Sequence, residues 1–367
     1  MKICHITYLR FKNGNGITNA VVNICNNENK HKEVESSKVI SIDSFEPNVE
    51  NELYTKFIDE KMGLSLTGGL YGTIYSLISF KPDIVNFHAI YKLKTVILSF
   101  VCLILDIKYV ITPHSSLMKK AQKKNKFAKL FYNFIFLRFI IHKANCVYFL
   151  NKHELVNSTT LGKRIKYELL PNGVPDNDNV NSYNKKNEFN LLFLARYDIH
   201  HKGIDIMLDY VEKEKEFFEK YNIRIRMYGE GNNNLIEELL KIKEIDNIVS
   251  MNGLVFGENK KKAFLEADAY ILTSRYEGLP ISVLEALSYG LPCLLSEYCN
   301  MQDAVDSGCA FLLKNHIDLR SSIEHLLESK NYDMISKNAS KFISEDYSWP
   351  AIVDTRVKQF SGFLLER

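Results

Sequence analysis

Short apolar runs alternate with amphipathic stretches along almost the whole chain. Runs at residues 2–7, 38–42, 83–87, 108–112, 145–150 and 167–170 predict buried strands. Between them, residues 17–26, 70–80, 95–105 and 153–161 place apolar side chains at helical spacing. A second series opens at 191–195 and continues through 223–228, 248–251, 270–272 and 293–295, with helices predicted over 204–221, 260–266 and 319–342. Strands alternating with helices predict an α/β fold of parallel sheets covered by helices on both faces. Ligands of such sheets bind beyond the carboxyl ends of the strands. The Asn-rich segment 175–188 has the composition of turns and linkers. The pattern divides the chain into a Rossmann-like domain at 1–174, a linker at 175–188 and a second Rossmann-like domain at 189–346. A last helix, 351–365 within the segment 347–367, is expected to pack back on the first domain.

Candidate chemistry gathers in the stretch AYILTSRYEGLPISVLEALSYGLPCLLS, residues 269–296, which reads strand, loop, helix, loop, strand. Pro280 suits a first helical position, and the helix is expected to stop near Gly290. Glu277 lies in the loop before the helix and Glu285 eight residues on. Eight helical residues rise about 12 Å, the scale of a sugar–diphosphate–ribose ligand. The helix N-terminus between the two carboxylates offers unpaired N–H groups to an anion. By spacing alone, the same pair also reads as one surface Glu and one helix Glu.

Arg196 and Lys202 sit in ARYDIHHKG, expected as a loop between strand and helix. Two cations there would neutralise a diphosphate and stabilise the charge growing on a leaving phosphate, or would be ordinary surface cations. Asn13-Gly14-Asn15-Gly16 follows the first strand without completing a G-x-G-x-x-G pattern, so Gly16 marks either a ligand loop or a tight turn. His88 and His114 each follow a strand end. Asp176-Asn177-Asp178 has D-x-D form but lies in the linker, without the buried strand end a metal site needs.

Composition narrows the function classes. Hydrophobic residues make up 46% of the 367, enough for large cores. The net charge of +3 is too small to imply nucleic-acid binding, and no RNA-binding motif is present. The seven cysteines form no C-x-x-C pair, which fits buried core thiols in a reducing cytoplasm and no zinc site. The N-terminus lacks the long apolar core of a signal peptide, and the apolar run 96–105 is too short to span a bilayer. No acidic residue occurs between Asp106 and Glu154, and six lysines fall within 119–129. The aromatic segment FAKLFYNFIFLRFIIHKA follows. Residues 117–143 therefore read as a basic, amphipathic stretch, either a surface for anionic membrane or a core helix with a solvated start.

Taken together, Ala195-Arg196-Tyr197…Lys202-Gly203, Glu277-Gly278-Leu279-Pro280…Glu285-Ala286, the turn Gly229-Glu230-Gly231, the strand end Pro171-Asn172-Gly173-Val174 and Trp349 near the last helix form an ordered set. The chain resembles the family 4 retaining glycosyltransferases of the GT-B fold, in which two Rossmann-like domains face each other across a cleft. Two positions depart from the family pattern: Asn15 precedes Gly16-Ile17, and Ala195 precedes Arg196. The resemblance implies that Arg196 and Lys202 hold a donor diphosphate, Glu277 the donor sugar and Glu285 the nucleotide ribose. It sets His114, in Thr112-Pro113-His114, beside the transferred sugar, and Gly16, Gly229, Gly278, Leu279 and Pro280 against the nucleotide-sugar. The implied reaction moves a sugar, with retention and without a metal, from a UDP-linked donor to a glycan. A lipid-linked acceptor at the inner face of the cell membrane, in polysaccharide assembly, suits the basic aromatic segment. A GT-B epimerase and a non-catalytic binding protein are the alternatives.

Overall fold

The structure, a computed structural model, describes residues 1–8, 16–42, 69–88, 90–123, 126–159, 165–175, 177 and 187–365. The first loop before Gly16, both aspartates of the D-x-D pattern and most of the expected linker lie outside the described residues. The chain forms two compact units: residues 1–173 with 349–367, and residues 174–348.

The described residues of the first unit hold a six-stranded parallel sheet of β1 (Lys2–Thr7), β2 (Ser36–Ser41), β3 (Ile84–Phe87), β4 (Lys108–Ile111), β5 (Cys146–Phe149) and β6 (Tyr167–Leu169), in the order β2-β1-β3-β4-β5-β6. Its strands β1, β3, β4 and β5 are buried almost throughout because both faces are covered there, whereas the edge strand β6 is exposed along its length. Cys4, Val85, Ile111 and Val147 enter one core, while their neighbours Ile3, Ile84, Val110 and Cys146 enter the other. The last helix, Trp349–Leu365, closes the second core with Ile352, Val353, Val357 and Phe360. Each such side chain, fully buried, contributes about 1.5–3 kcal/mol. At the foot of this helix, the Trp349 ring lies where a Cβ on Gly173 would stand, 2.6 Å away.

The second unit has β7 (Phe189–Leu194), β8 (Ile223–Tyr228), β9 (Val249–Met251), β10 (Ala269–Leu272), β11 (Cys293–Ser296) and β12 (Ala310–Leu313), in the order β12-β11-β10-β7-β8-β9. Strand order reverses at β7, between β8 and β10, as it does at β1 in the first unit between β2 and β3. The carboxyl ends at these reversals are where open α/β sheets bind ligands.

Several local expectations change. The helix expected over 204–221 is two, Ile204–Lys213 and Lys215–Lys220. It breaks at Glu214, whose carboxylate is drawn to His316 at 2.6 Å and Arg320 at 3.6 Å. Strand β12 is not among the expected strands; it pairs parallel with β11 at the edge of the sheet. Pro280 is the residue before the helix Ile281–Ser288, not its first: its ψ of 95° is extended. Its carbonyl instead accepts from the N–H of Val283 at 3.0 Å. Gly290, at φ 71°, takes the left-handed conformation expected past a helix end. All seven cysteines are free and buried.

Candidate functional site

In the second unit three strand-end loops interlock, after β7, β10 and β11. Lys202 is not in an open loop. It ends a short helix, Ile199–Lys202, that Asp198 caps by accepting from the N–H of His201 at 2.9 Å. Gly203 follows at φ 62°, so close to β10 that a Cβ there would sit 1.9 Å from the Thr273 carbonyl oxygen. The Thr273 hydroxyl donates to the Gly203 carbonyl at 2.7 Å. The Lys202 side chain is thereby aimed at the loop after β10, where its Nζ meets Glu277 Oε1 at 2.6 Å. Ser274 Oγ donates to the same oxygen at 2.7 Å.

Glu277 is itself held by its backbone. Its N–H donates to the Tyr298 carbonyl at 3.0 Å, and its carbonyl accepts from Asn300 Nδ2 at 2.7 Å. Arg275 grips Asp205 through two bonds of 2.7 Å, and the rings of His201 and Tyr276 stack at 4.0 Å. Burial and the neighbouring Lys202 ammonium hold the His201 imidazole below its ordinary pKa. These contacts tie the loops to one another.

The other expected donor residues are placed differently. Arg196 is 67% exposed, and its only described ion pair is with Asp198 at 3.7 Å. Glu285, on the helix Ile281–Ser288, pairs with Lys260 Nζ at 2.7 Å. Structure therefore brings Lys202 and Glu277 into contact, while Arg196 and Glu285 engage other partners. No side chain caps the helix at Pro280, and Leu279 packs partly against the core. Gly229 has a structural reason of its own. A Cβ there would lie 2.0 Å from the Ala195 carbonyl oxygen and 2.8 Å from the Tyr197 ring.

In the first unit the reversal at β1 opens a cavity of about 270 Å³ that Thr7, Tyr8, His88, Tyr91, Lys92 and His114 help to line. Gly16 begins the helix Gly16–Glu28 beside it in sequence. His114 stands at φ 47° and Ser115 at φ 63°. The buried Glu154 carboxylate supports this unusual turn by accepting from the Ser115 N–H at 2.5 Å and the Leu150 N–H at 2.8 Å. Burial raises the Glu154 pKa, and those two bonds oppose the rise. Behind His114 runs a chain of rings and charges: His88, His5, Glu28 and Arg356.

Lys260, Arg275, Glu154, His5, Glu28 and Arg356 carry no motif. Lys260 hides in a lysine run, and His5 sits in an apolar strand, so only the fold exposes their roles.

Residues 176–342 match the family model of glycosyl transferases group 1. An uncharacterized glycosyltransferase of Methanocaldococcus jannaschii is 26% identical over 175 residues, 46% of this chain and 44% of that one. The O-antigen biosynthesis glycosyltransferase WbnH of Escherichia coli is 23% identical, over 51% of this chain and 52% of its own. This chain thus spans about half the length of these curated relatives. The crystal structure of Anabaena HepE in complex with UDP superposes with a TM-score of 0.76 at 14% identity, covering 99% of this chain and 100% of that one. These likenesses show the GT-B fold. The interlocked loops at the ends of β7 and β10 lie where open α/β sheets bind ligands. Among the described residues no helix is long and apolar enough to cross a membrane.

Proposed function

We propose that the chain transfers a sugar from a nucleotide-sugar, UDP-linked, to a glycan acceptor, with retention at the anomeric carbon. The observation that carries this reading is the Lys202–Glu277 pair at the strand-order reversal, with 17% and 10% of the side chains exposed. In the free protein the carboxylate keeps the ammonium in place. An arriving diphosphate competes for Lys202, and Arg196, lying free enough to swing, adds a second cation. Glu277, released from the ammonium, is then available to hydroxyls of the donor sugar. Uncapped N–H groups at the helix after Pro280 complement the phosphate charge. Fixed positive charge stabilises the leaving diphosphate without calling on a metal. Glu285 would take the ribose in exchange for Lys260.

The acceptor reading rests on the first unit. Its cavity offers hydroxyl-binding groups at His114, Tyr91 and Lys92. The continuous helical stretch 126–143 buries Leu137, Ile140 and Ile141 but leaves Phe127, Phe131 and Phe134 exposed at 85%, 65% and 76%. With lysines beside it and no acidic residue in the sequence from 107 to 153, this face suits an anionic membrane and a lipid-linked glycan. The cell-surface polysaccharide setting is supported by the O-antigen role in the name of the Escherichia coli relative.

The test is donor turnover by purified protein. Lys202→Ala and Glu277→Ala are expected to lower sugar release from the cognate UDP-sugar by about 10²–10³-fold, and chelator to leave the wild type unchanged. Wild-type rates in both variants would remove the mechanism, and an altered donor recovered without transfer would identify an epimerase.

A further inference from the structure

The cavity of about 270 Å³ at the β1 reversal has, among the described residues that line it, no Asp, Glu, Asn or Gln. Carboxylates and amides are the side chains that accept most readily from the hydroxyls of a neutral ligand. Most of the polar groups that do line it are already engaged. Ser116 Oγ donates to the Pro113 carbonyl at 2.6 Å, and Tyr91 spends its hydroxyl proton on Asn133 Oδ1 at 3.0 Å. The His88 ring lies between His5 and His114, at 2.9 and 2.8 Å. Burial holds the His88 imidazole well below its ordinary pKa and that of His114 at about 4, so both rings are neutral near pH 7. The charge that faces this cavity is therefore the Lys92 ammonium.

Lys92 is exposed, and among the described residues it forms no ion pair and no side-chain hydrogen bond. Its Nζ stands 4.9 Å over the Tyr8 ring, a contact that leaves its N–H donors open to a ligand. It is also the N-cap of the helix Leu93–Ile104, whose first turn has no acidic residue and no side-chain cap, so the positive end of the helix dipole has the same sign as the ammonium. A second lysine, Lys129, stands 5.0 Å over the Tyr91 ring. Two buried carboxylates of this unit are committed elsewhere. Glu154 accepts from the Ser115 and Leu150 N–H groups, and Glu28 pairs with Arg356.

We propose that this cavity binds an anionic sugar, with its carboxylate or phosphoryl group on Lys92 and its ring beside Tyr8 and Tyr91. A neutral sugar would leave the ammonium without a counter-charge and would find few acceptors for its hydroxyls. A carboxylate or phosphate brings only acceptor oxygens, and its bonds to an ammonium are of the stronger, charge-assisted kind. The proposal rests on the transferase reading only in calling this ligand the acceptor. It narrows that acceptor from glycans at large to those carrying an acid on the residue that enters the cavity.

Ligand-observed NMR titrations of the full chain at low salt, with methyl glucuronide, glucose 1-phosphate and methyl glucoside, test this without reference to turnover. At least one of the two anionic sugars is expected to bind about tenfold more tightly than methyl glucoside, the scale of one hydrogen bond to a charged group. Lys92→Met keeps the length of the side chain and removes its charge, so it should erase that preference, while Lys92→Arg should keep it. Lys92 is exposed, so neither variant is expected to lower the thermal midpoint. Tighter binding of the glucuronide assigns the carboxylate, and tighter binding of the phosphate the phosphoryl group; either supports the proposal. Equal binding of the three sugars, no binding of any, or a preference that survives Lys92→Met in a folded protein would overturn it. A preference kept in Lys92→Met and lost in Lys202→Ala would seat the anion in the second unit instead. A preference that depends on Lys92, in a protein that transfers no sugar, would keep the site and remove the transferase reading.

Discussion

Single residues carry most of the chemistry. Glu28 and Arg356 are the clearest case, because Glu28 is the one ion-pair partner of the buried Arg356 among the described residues. Replacing Glu28 by Gln strands the guanidinium and is expected to cost about 3–5 kcal/mol of unfolding free energy, measurable by urea denaturation. The pH dependence has a definite sign. His114, with a folded-state pKa of about 4 against about 6.5 unfolded, contributes stability that is present above the unfolded value and is lost as pH falls towards 4. Glu28 acts in the same direction, since His5, Arg356 and Ser37 outweigh the desolvation that would raise it. At pH 5 the unfolded chain binds the His114 proton and the folded one does not, a loss of about 2 kcal/mol relative to pH 7. Urea midpoints should fall between those pH values, and His114→Gln should remove part of that fall. A midpoint indifferent to pH from 7 to 5 would contradict this account.

At the level of elements, the site in the second unit depends on backbone approach. The short helix Ile199–Lys202 ends at Gly203, whose positive φ and contact with Thr273 leave no space for a side chain. Gly203→Ala combines left-handed strain of about 1–2 kcal/mol with a backbone clash. It should destabilise by at least about 2 kcal/mol and shift Lys202 away from Glu277. Differential scanning calorimetry checks the first effect and donor titration the second. The sequence motif around Lys202 was legible, but its place at a helix end was not. Asp198-Ile199-His200-His201-Lys202 before a glycine looks like a loop until Asp198 is seen capping the helix. The break at Glu214 was hidden for a similar reason, since its partners His316 and Arg320 lie a hundred residues away. Strands fared better, because a strand covered on both faces needs an unbroken apolar run whatever surrounds it.

Across the whole molecule, two consequences of the reading can be measured directly. A cognate nucleotide-sugar at 100 times its Kd should stabilise the protein by about 2.7 kcal/mol, read as a thermal shift, and a panel of nucleotide-sugars with no shift would count against a donor site. Vesicles containing anionic lipid should retain the wild type at low salt and release it as salt screens the lysines. Combined Phe127→Glu, Phe131→Glu and Phe134→Glu should abolish retention without loss of thermal stability, since all three side chains are exposed. Retention by neutral vesicles alone would point to apolar contact without the electrostatic component.

The hydrophobic pattern by itself determined two series of parallel strands and helices, because burial on both faces writes itself into local composition. The motifs around Arg196, Lys202 and Glu277 marked residues near strand ends, since loops after strands are short. Only the tertiary structure decided which of those side chains meet. Lys202 reaches Glu277 across 75 positions, Glu285 turns to Lys260, and His114 backs onto a line of polar groups drawn from both ends of the chain. Such pairings depend on strand order, and no local stretch of sequence records which strand will lie beside which.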